Sequence, residues 1–316
     1  MITTYLSFFL AYLQNLCSFE LYLYGRNVEK LHTVYRELAD NPHIHFISFD
    51  FEKNQMPDIT PDYVIHAASP ASTKFFVEKP VDVISPNIIG SWHLLNWVKE
   101  IEIKKFLLFS SGSIYGEGGT EKTVLTESDY VIVDPLNDRS SYVESKRACE
   151  QMCKAFWKQY GVPTSIIRIR HTFGPTFDIE HDTRIVPKSL KKIINGEDIE
   201  IYRDPSSVIQ YTYIADMIAA ILLVMLKGEN GKAYTAAGDE VVKMDDVIEW
   251  MIRSDKRITS KLIEKDIDQN YSFSKGKGIN YVKLSNERLK GLGWKQLFRV
   301  KYGFERTVKS YFSAVE

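Results

Sequence analysis

The sequence has few cysteines, no surplus of charge and no long apolar run, and each of these absences excludes a class of protein. Cys17, Cys149 and Cys153 are the only cysteines among 316 residues. This odd number, without paired ligand spacing, indicates free thiols in a reducing compartment rather than disulfides or a zinc site. A formal net charge of −1 gives no reason to expect a nucleic-acid partner. No apolar run reaches the roughly 20 residues of a membrane-spanning helix. We therefore expect a cytoplasmic protein without metal, membrane or nucleic-acid partners.

The first sixteen residues, MITTYLSFFLAYLQNL, contain no Lys, Arg, Asp or Glu. A secretory signal would need a basic segment before the apolar core and a small-residue cleavage site after it, and this segment has neither. We expect it to form a buried helix over residues 4–17 of a chain that, with 44% hydrophobic residues, can build a large core.

Strands and helices alternate over the first half of the chain. Strands are predicted at FELYLYG (19–25), IHFISFD (44–50), DYVIHAAS (62–69), KKFLLFSS (104–111) and PTSIIRIRH (163–171). This alternation is typical of an α/β protein with a Rossmann-type, doubly wound parallel sheet. After residue 170 the segments become shorter and more mixed. We therefore predict a dinucleotide-binding domain over 1–170 and, over 171–316, mainly a smaller substrate-binding lobe, with later segments returning to the first domain.

One pair of residues on a helix carries the strongest chemical signal. Tyr142 and Lys146 are four residues apart in SYVESK, so they share one helix face. Ser110, Ser111 and Ser113 lie at the carboxyl end of the strand KKFLLFSS, at the edge where parallel sheets bind ligands. A phenol with a pKa near 10 is a poor base at neutral pH, but a nearby ammonium and a positive nicotinamide ring lower that pKa. The pattern predicts proton transfer by Tyr142.

With these residues the chain resembles the extended short-chain dehydrogenase/reductases, specifically the nucleotide-sugar epimerases, dehydratases and decarboxylases. The resembling segments are DYVIHAASPAS (62–72), most like that of UDP-glucuronate decarboxylases, NIIGSWHLL (87–95), SSGSIYG (110–116), SYVESK (141–146), RIRHTFGP (168–175), YTYIAD (211–216) and LGWKQ (292–296). The resemblance implies that tightly bound NAD or NADP takes a hydride from a sugar carbon, usually C4, of a nucleotide-diphosphate sugar. Tyr142 would be the base, Lys146 would bind the nicotinamide ribose, and Ser111 would orient the substrate hydroxyl.

The same resemblance implies binding residues and an assembly. We expect the cofactor to contact Arg26, Asp50, Ala67, Ala68, Ser69, Asn87 and Lys146, and the substrate to contact Ser72, Ser113, His171 and Arg184. A homodimer is implied through the helices at 87–100 and 142–160. Three of these residues have alternative roles that involve no ligand: a turn role for Asp50, a surface salt bridge for Arg184 and a core position for His171.

The beginning of the chain departs from the family pattern. The family starts with a strand and a glycine-rich turn that receives the pyrophosphate, whereas Met1, Ile2 and Thr3 align with the end of that turn. We expect a fold without the first strand and this turn, either because the start codon lies too late or because the chain is a relative with weakened cofactor binding. Arg26 follows the strand where NAD enzymes usually carry an acid, so NAD and NADP are equally expected.

The catalytic loop departs from the dehydratases and decarboxylases, which usually carry an acid where this chain has Gly112 and Ser113. That difference favours an epimerase or oxidoreductase acting in surface polysaccharide precursor synthesis, with a decarboxylase or 4,6-dehydratase as alternatives. His171 stands where the family has Asn, and Ile209 stands where it has a diphosphate-binding Arg. A catalytically inactive nucleotide-binding relative is the alternative from a different class.

Overall fold

A computed structural model describes residues 1–53, 56–70, 73–116, 122–130, 132–177, 179–180, 182, 184–202, 208–265 and 282–313. The first half contains, in chain order, α1 (Ile2–Leu13), β1 (Leu21–Gly25), α2 (Val28–Val34), a 3₁₀ turn (Arg36–Leu38), β2 (Ile44–Ser48), β3 (Tyr63–His66), α3 (Thr73–Glu78), α4 (Pro80–Ser85), a π-helical turn (Pro86–Gly90), α5 (Ser91–Lys99), β4 (Lys105–Ser111), a second 3₁₀ turn (Gly112–Tyr115), β5 (Val124–Leu125), α6 (Ser140–Tyr160) and β6 (Thr164–Ile169).

The second half continues with β7 (Thr172–Phe173), α7 (Ile185–Ile194), β8 (Ile199–Tyr202), β9 (Val208–Gln210), β10 (Thr212–Tyr213), α8 (Ile214–Lys227), β11 (Lys232–Ala236), β12 (Val241–Lys243), α9 (Met244–Ile252), β13 (Leu262–Lys265), β14 (Lys283–Leu284), α10 (Glu287–Gly291) and α11 (Val300–Ser313). Among the described residues, no helix combines the length and apolarity needed to cross a bilayer.

The parallel sheet is divided into two parts. Four strands pair in the order β11, β6, β4, β3, all parallel, and β1 pairs in parallel with β2 alone. Within the described ranges, no strand pairs with the other edge of β1 or of β3. The Rossmann-type architecture is confirmed, and the division agrees with the expected absence of the family's first strand.

Strand β4 explains why the sheet is covered on both faces. All seven of its residues are buried, as expected for a central parallel strand. Leu107 and Phe109 pack in the large core that α8 and α11 help to build, whereas Phe106 and Leu108 pack with residues of α5 and α6. This alternation, with a period of two, places α6 directly against the strand that leads into the catalytic loop.

Helix α1 connects the two parts of the sheet. Leu6 belongs to the large core, whereas Phe8 and Ala11 pack against the smaller core of β1, β2 and α2. The helix begins and ends earlier than the predicted 4–17, and most of its residues are half-buried rather than buried. It ends before Gln14, whose side-chain amide donates to the carbonyls of Phe19 and His43 and so fixes the turn into β1.

The second half returns to the first-half sheet, since β11 pairs with β6 and α8 packs on β4 and β6. The boundary between residues 170 and 171 stays a prediction.

Candidate active site

The three predicted catalytic residues lie where β4, the turn that follows it and α6 meet. Ser111 ends β4, and its hydroxyl oxygen accepts a hydrogen bond from the backbone N–H of Ser113 at 3.1 Å. The Ser111 hydroxyl donates to the Ser113 hydroxyl, also at 3.1 Å. Tyr142, in the first turn of α6, shares a side-chain hydrogen bond with Ser111. Two residues that are 31 positions apart in the sequence are thus brought together.

Lys146 lies beneath this pair, one turn further along α6. Its Nζ donates to the carbonyl oxygen of Phe109 at 2.9 Å and lies 6.0 Å from the centroid of the Tyr142 ring. The side chain is buried, and desolvation lowers the pKa of the Lys146 ammonium to about 8, although Cys149, Cys153 and Glu150 act in the opposite direction. Lys146 therefore supplies a positive charge next to the phenol at neutral pH.

Tyr142 is a phenol in this structure, not a phenolate. Partial burial raises its pKa, and the hydrogen bond with Ser111 opposes that effect only in part. The ring stacks on Phe76 with centroids 4.5 Å apart and an angle of 10° between the planes. Phe76 thereby fixes the orientation of the ring, while deprotonation of the hydroxyl requires further positive charge from a bound ligand.

Asn87 adds an unsatisfied acceptor to the site. Its amide nitrogen donates to the carbonyl of Val83 at 3.0 Å and to the hydroxyl of Ser145 at 2.9 Å. Its Oδ1 is buried without a hydrogen-bond partner. Because buried acceptors are seldom left unpaired, this atom is suited to accept a hydrogen bond from a bound ligand.

Arg26 and Asp50 meet at the carboxyl ends of β1 and β2. With Ser48, Phe49 and Lys53 they line an open cleft of about 300 Å³. Asp50 accepts a hydrogen bond from the backbone N–H of Glu52 at 3.2 Å, so it has the turn role that was its alternative interpretation. Arg26 is 68% exposed and makes a weak 3.8 Å ion pair with Glu52.

These residues fit a nicotinamide dinucleotide at both ends. In the cleft, Arg26 and Asp50 suit the adenosine part of the cofactor. The Lys146 amine and the unpaired Oδ1 of Asn87 suit the nicotinamide ribose. Ala67, Ala68 and Ser69 follow β3 directly, and the Ser69 hydroxyl donates to the Pro70 carbonyl at 3.4 Å. The predicted substrate residue Ser72 lies outside the described residues.

The predicted substrate residues His171 and Arg184 are both close to Tyr211. The His171 and Tyr211 rings are 5.8 Å apart. His171 is solvent-exposed, so the alternative of a core position is wrong. Desolvation, together with the charges of Arg170 and Arg184, lowers the pKa of its imidazole, which is therefore neutral at physiological pH. Arg184 forms an ion pair with Asp182, in which its Nε lies 2.9 and 3.0 Å from the two carboxylate oxygens. Arg184 therefore makes the salt bridge that was its alternative interpretation.

Three residues of the site were not anticipated. The side chain of Arg170 covers Gly112, where a Cβ would lie 2.8 Å from its Cδ. Glu150 and Arg168 form a buried ion pair behind the catalytic turn. A signal for Arg168 existed, because a charged residue inside the apolar strand SIIRIR needs a buried partner. The partner could not be identified from the sequence.

Comparison with known proteins agrees with this geometry. The family model described as "NAD dependent epimerase/dehydratase family" matches residues 21–237. The chain is 27% identical to UDP-glucuronic acid decarboxylase 6 of Arabidopsis thaliana over 77% of this chain and 67% of the relative. It is 24% identical to a low-salt glycan biosynthesis protein of Haloferax volcanii over 86% of this chain and 83% of that protein.

Among solved structures, a UDP-glucose 4-epimerase from Thermotoga maritima, solved with UDP-glucose, superposes with a TM-score of 0.80 at 21% identity, covering 100% of this chain and 97% of that one. The family match covers more than half of the chain, and its description confirms the predicted nicotinamide dinucleotide at the level of the family. This chain belongs to the NAD dependent epimerase/dehydratase family.

Proposed function

We propose that this chain is a nucleotide-sugar epimerase or oxidoreductase that oxidises a sugar hydroxyl, at C4, with Tyr142 as the base. The hydrogen bond between Ser111 and Tyr142, next to the buried amine of Lys146, is the observation that carries the proposal. Two of the relatives act on, or were solved with, UDP-linked sugars, which supports a nucleotide-diphosphate sugar as substrate. The relative in glycan biosynthesis supports a role in surface polysaccharide precursor synthesis.

In this mechanism Ser111 and Tyr142 together hold the sugar hydroxyl. The phenolate of Tyr142 takes the hydroxyl proton, and the Ser111 hydroxyl stabilises the oxygen as its proton leaves. Lys146 favours the phenolate by its positive charge and binds the ribose of the cofactor. A bound oxidised nicotinamide dinucleotide supplies the hydride acceptor and additional positive charge. His171, neutral at physiological pH, can accept or donate a hydrogen bond to the substrate without protonating it.

The catalytic turn favours epimerisation or oxidation over dehydration. The turn has Gly112 and Ser113 where the dehydratases usually carry an acid, and the Arg170 side chain covers Gly112, with its Cδ 2.8 Å from the position of a Cβ. Without a carboxylate there, proton transfer at C5 lacks an obvious acid or base. Decarboxylation stays the second candidate, because UDP-glucuronic acid decarboxylase 6 is among the relatives.

The experiment that tests the proposal is turnover of UDP-glucose and UDP-glucuronic acid, followed by mass analysis of the nucleotide sugar. A new sugar of unchanged mass supports an epimerase, and loss of carbon dioxide supports a decarboxylase. If the folded protein binds NAD+ or NADP+ but converts neither sugar, the inactive nucleotide-binding relative becomes the better description.

Cofactor preference gives a prediction for Arg26. Replacing Arg26 with Ala should lower the affinity for NADP+ about tenfold while changing that for NAD+ less than twofold, because only NADP+ has a 2′-phosphate for the guanidinium. The affinities are measured by calorimetric titration, with the exposed Lys30→Ala on α2 as the control. Equal loss of both affinities would contradict a 2′-phosphate contact.

We also infer a homodimer in the cytoplasm, formed through the helices at 87–100 and 142–160. Ile89, Trp92 and Tyr160 are apolar or aromatic side chains of these segments that are 44%, 52% and 51% exposed. The Trp92 ring lies 5.7 Å from that of the buried Phe156 on α6, and the Phe156 ring lies 5.3 Å from that of Tyr160, so Trp92 and Tyr160 flank the same core residue. Exposed apolar patches of this kind are typical of interfaces.

Replacing Trp92 with Glu should therefore weaken dimerisation at least about tenfold, because it buries a charge in an apolar interface. Sedimentation velocity over a concentration series measures the change. Leu226→Glu, at a 60% exposed position on α8, is the matched control and should leave the oligomeric state unaltered. A wild-type protein that is monomeric at all concentrations would exclude the dimer.

A further inference from the structure

A buried ion pair lies directly behind the candidate active site. Glu150 is on α6, one turn after Lys146, and Arg168 is on β6. Arg168 donates from Nη2 to the Oε2 of Glu150 at 2.8 Å and from Nε to Oε1 at 3.1 Å. The side chain of Arg168 is only 8% exposed and that of Glu150 only 11%. Bidentate pairs of this kind have a fixed geometry, so the two elements are held in one relative position.

The pair holds both ends of the turn that carries the catalytic serine. Ser110, which precedes Ser111, donates from its hydroxyl to the Oε1 of Glu150 at 2.5 Å. At the other end of the turn, the Tyr115 hydroxyl accepts from the Nη1 of Arg168 at 2.9 Å. The same hydroxyl lies 2.8 Å from the Oγ1 of Thr235 on β11, so Tyr115 is fixed from two sides.

Glu150 also belongs to the helix that carries Tyr142 and Lys146. Ser111 and Tyr142 come from different elements, so the hydrogen bond between them depends on how the turn sits against α6. Misplacement of reacting groups by about 1 Å can cost 10²-fold in rate. The Glu150 carboxylate on α6 accepts hydrogen bonds from both Ser110 and Arg168, and these bonds oppose such misplacement.

The Glu150 carboxylate also raises the pKa of the Lys146 ammonium. The groups around that amine are Cys149, Cys153, Glu150 and Tyr142 on α6, His66 on β3 and the Phe109 carbonyl on β4. The thiols of Cys149 and Cys153 have pKa values raised by burial, and burial lowers the pKa of His66 to about 3. Those three groups are therefore neutral at physiological pH, which leaves Glu150 as the carboxylate among them.

We propose that the Glu150–Arg168 pair is a positioning device for the reaction, which holds the Gly112–Tyr115 turn against α6 and so sets the contact between Ser111 and Tyr142. The proposal rests on the proposed function for its kinetic consequence. Its structural consequence, a rigid turn, does not depend on any activity.

Glu150→Gln is the first test, because it keeps the size of the side chain and removes its charge. We expect kcat to fall about 10²-fold with KM changed less than about threefold, because substrate contacts are retained. Loss of the carboxylate also lowers the pKa of Lys146, so the alkaline limb of the kcat profile moves to lower pH. Amide hydrogen exchange at residues 110–116 should become faster. Glu249→Gln, from an exposed pair with Arg253 on α9, should change none of these quantities.

Glu150→Gln leaves a buried guanidinium without its counter-charge and can therefore unfold the protein. The double variant Glu150→Leu with Arg168→Met removes both charges and keeps an apolar core, so it should stay folded. It should show the same loss of kcat and the same faster exchange at 110–116. A folded double variant with kcat within about twofold of wild type, or with unaltered exchange in the turn, overturns the proposal. If the wild-type protein converts no nucleotide sugar, the proposed function fails, and the exchange measurement still decides the positioning role.

Discussion

Replacing Tyr142 with Phe will lower kcat about 10³-fold while the protein stays folded and keeps its affinity for the dinucleotide. The substitution removes one oxygen atom, which is the proposed base, and general base catalysis contributes roughly 10² to 10⁴ in rate. The stacking of the ring on Phe76 and the packing of α6 do not require the hydroxyl. The expected loss is therefore in kcat, measured by steady-state turnover of the preferred UDP-sugar.

Tyr160→Phe is the matched control for this experiment. Tyr160 is also on α6, is 51% exposed and accepts from the Gln159 amide at 2.9 Å, so its variant loses a comparable hydroxyl far from Ser111. It should keep wild-type turnover. A Tyr142→Phe protein with kcat within about threefold of wild type would contradict the role of Tyr142 as base.

Replacing Lys146 with Met will abolish most turnover and at the same time stabilise the fold at pH 7. The folded-state pKa of Lys146 is about 8, against an ordinary value of 10.5, chiefly because of desolvation. This difference corresponds to roughly 3 kcal/mol of cost for keeping the ammonium charged inside the protein. Methionine avoids that cost but gives up the hydrogen bond to Phe109, so we expect a net gain of about 1–2 kcal/mol in the free energy of unfolding.

The stability difference between wild type and Lys146→Met depends on pH in a defined direction. Between pH 8 and 10.5 the folded state releases the Lys146 proton while the unfolded state still holds it, so wild-type stability from this group rises with pH. The advantage of Lys146→Met is therefore full below pH 8 and disappears as the pH approaches 10.5. Urea unfolding at several pH values measures it. A variant less stable than wild type at pH 7 would show that the ammonium is well compensated and that its burial carries no cost.

Local sequence patterns were enough to predict most of the fold. The apolar segment KKFLLFSS becomes the fully buried β4, and the helix SYVESKRACEQMCKAFWKQY becomes α6, which Gly161 closes in the left-handed conformation at φ 74°. Both follow from short-range periodicity and from the conformational freedom of glycine. The four-residue spacing puts Tyr142 and Lys146 on one face of α6, and Lys146 reaches the Phe109 carbonyl of β4 from there.

Side-chain contacts between residues far apart in the chain could not be predicted from the sequence. Glu150 resembles a solvent-exposed charge when considered alone. Arg168, inside an apolar strand, indicates a buried partner, but the identity of that partner depends on the register of β6 beside β4. The stacking of Phe76 on Tyr142 joins residues that are 66 positions apart in the sequence, so no local pattern indicates it. For Arg184 the sequence left a substrate contact and a surface salt bridge both open, and the structure shows an ion pair with the nearby Asp182.

The most direct test of the central claim is rapid mixing of the NAD-saturated protein with UDP-glucose or UDP-glucuronic acid, while the absorbance of reduced nicotinamide is recorded. NADP replaces NAD if titration shows that it binds more tightly. The account predicts a transient rise in absorbance followed by a new nucleotide sugar, and neither signal in Tyr142→Phe. A folded wild-type protein whose melting temperature rises with the dinucleotide, but which shows neither absorbance change nor new sugar, would contradict it.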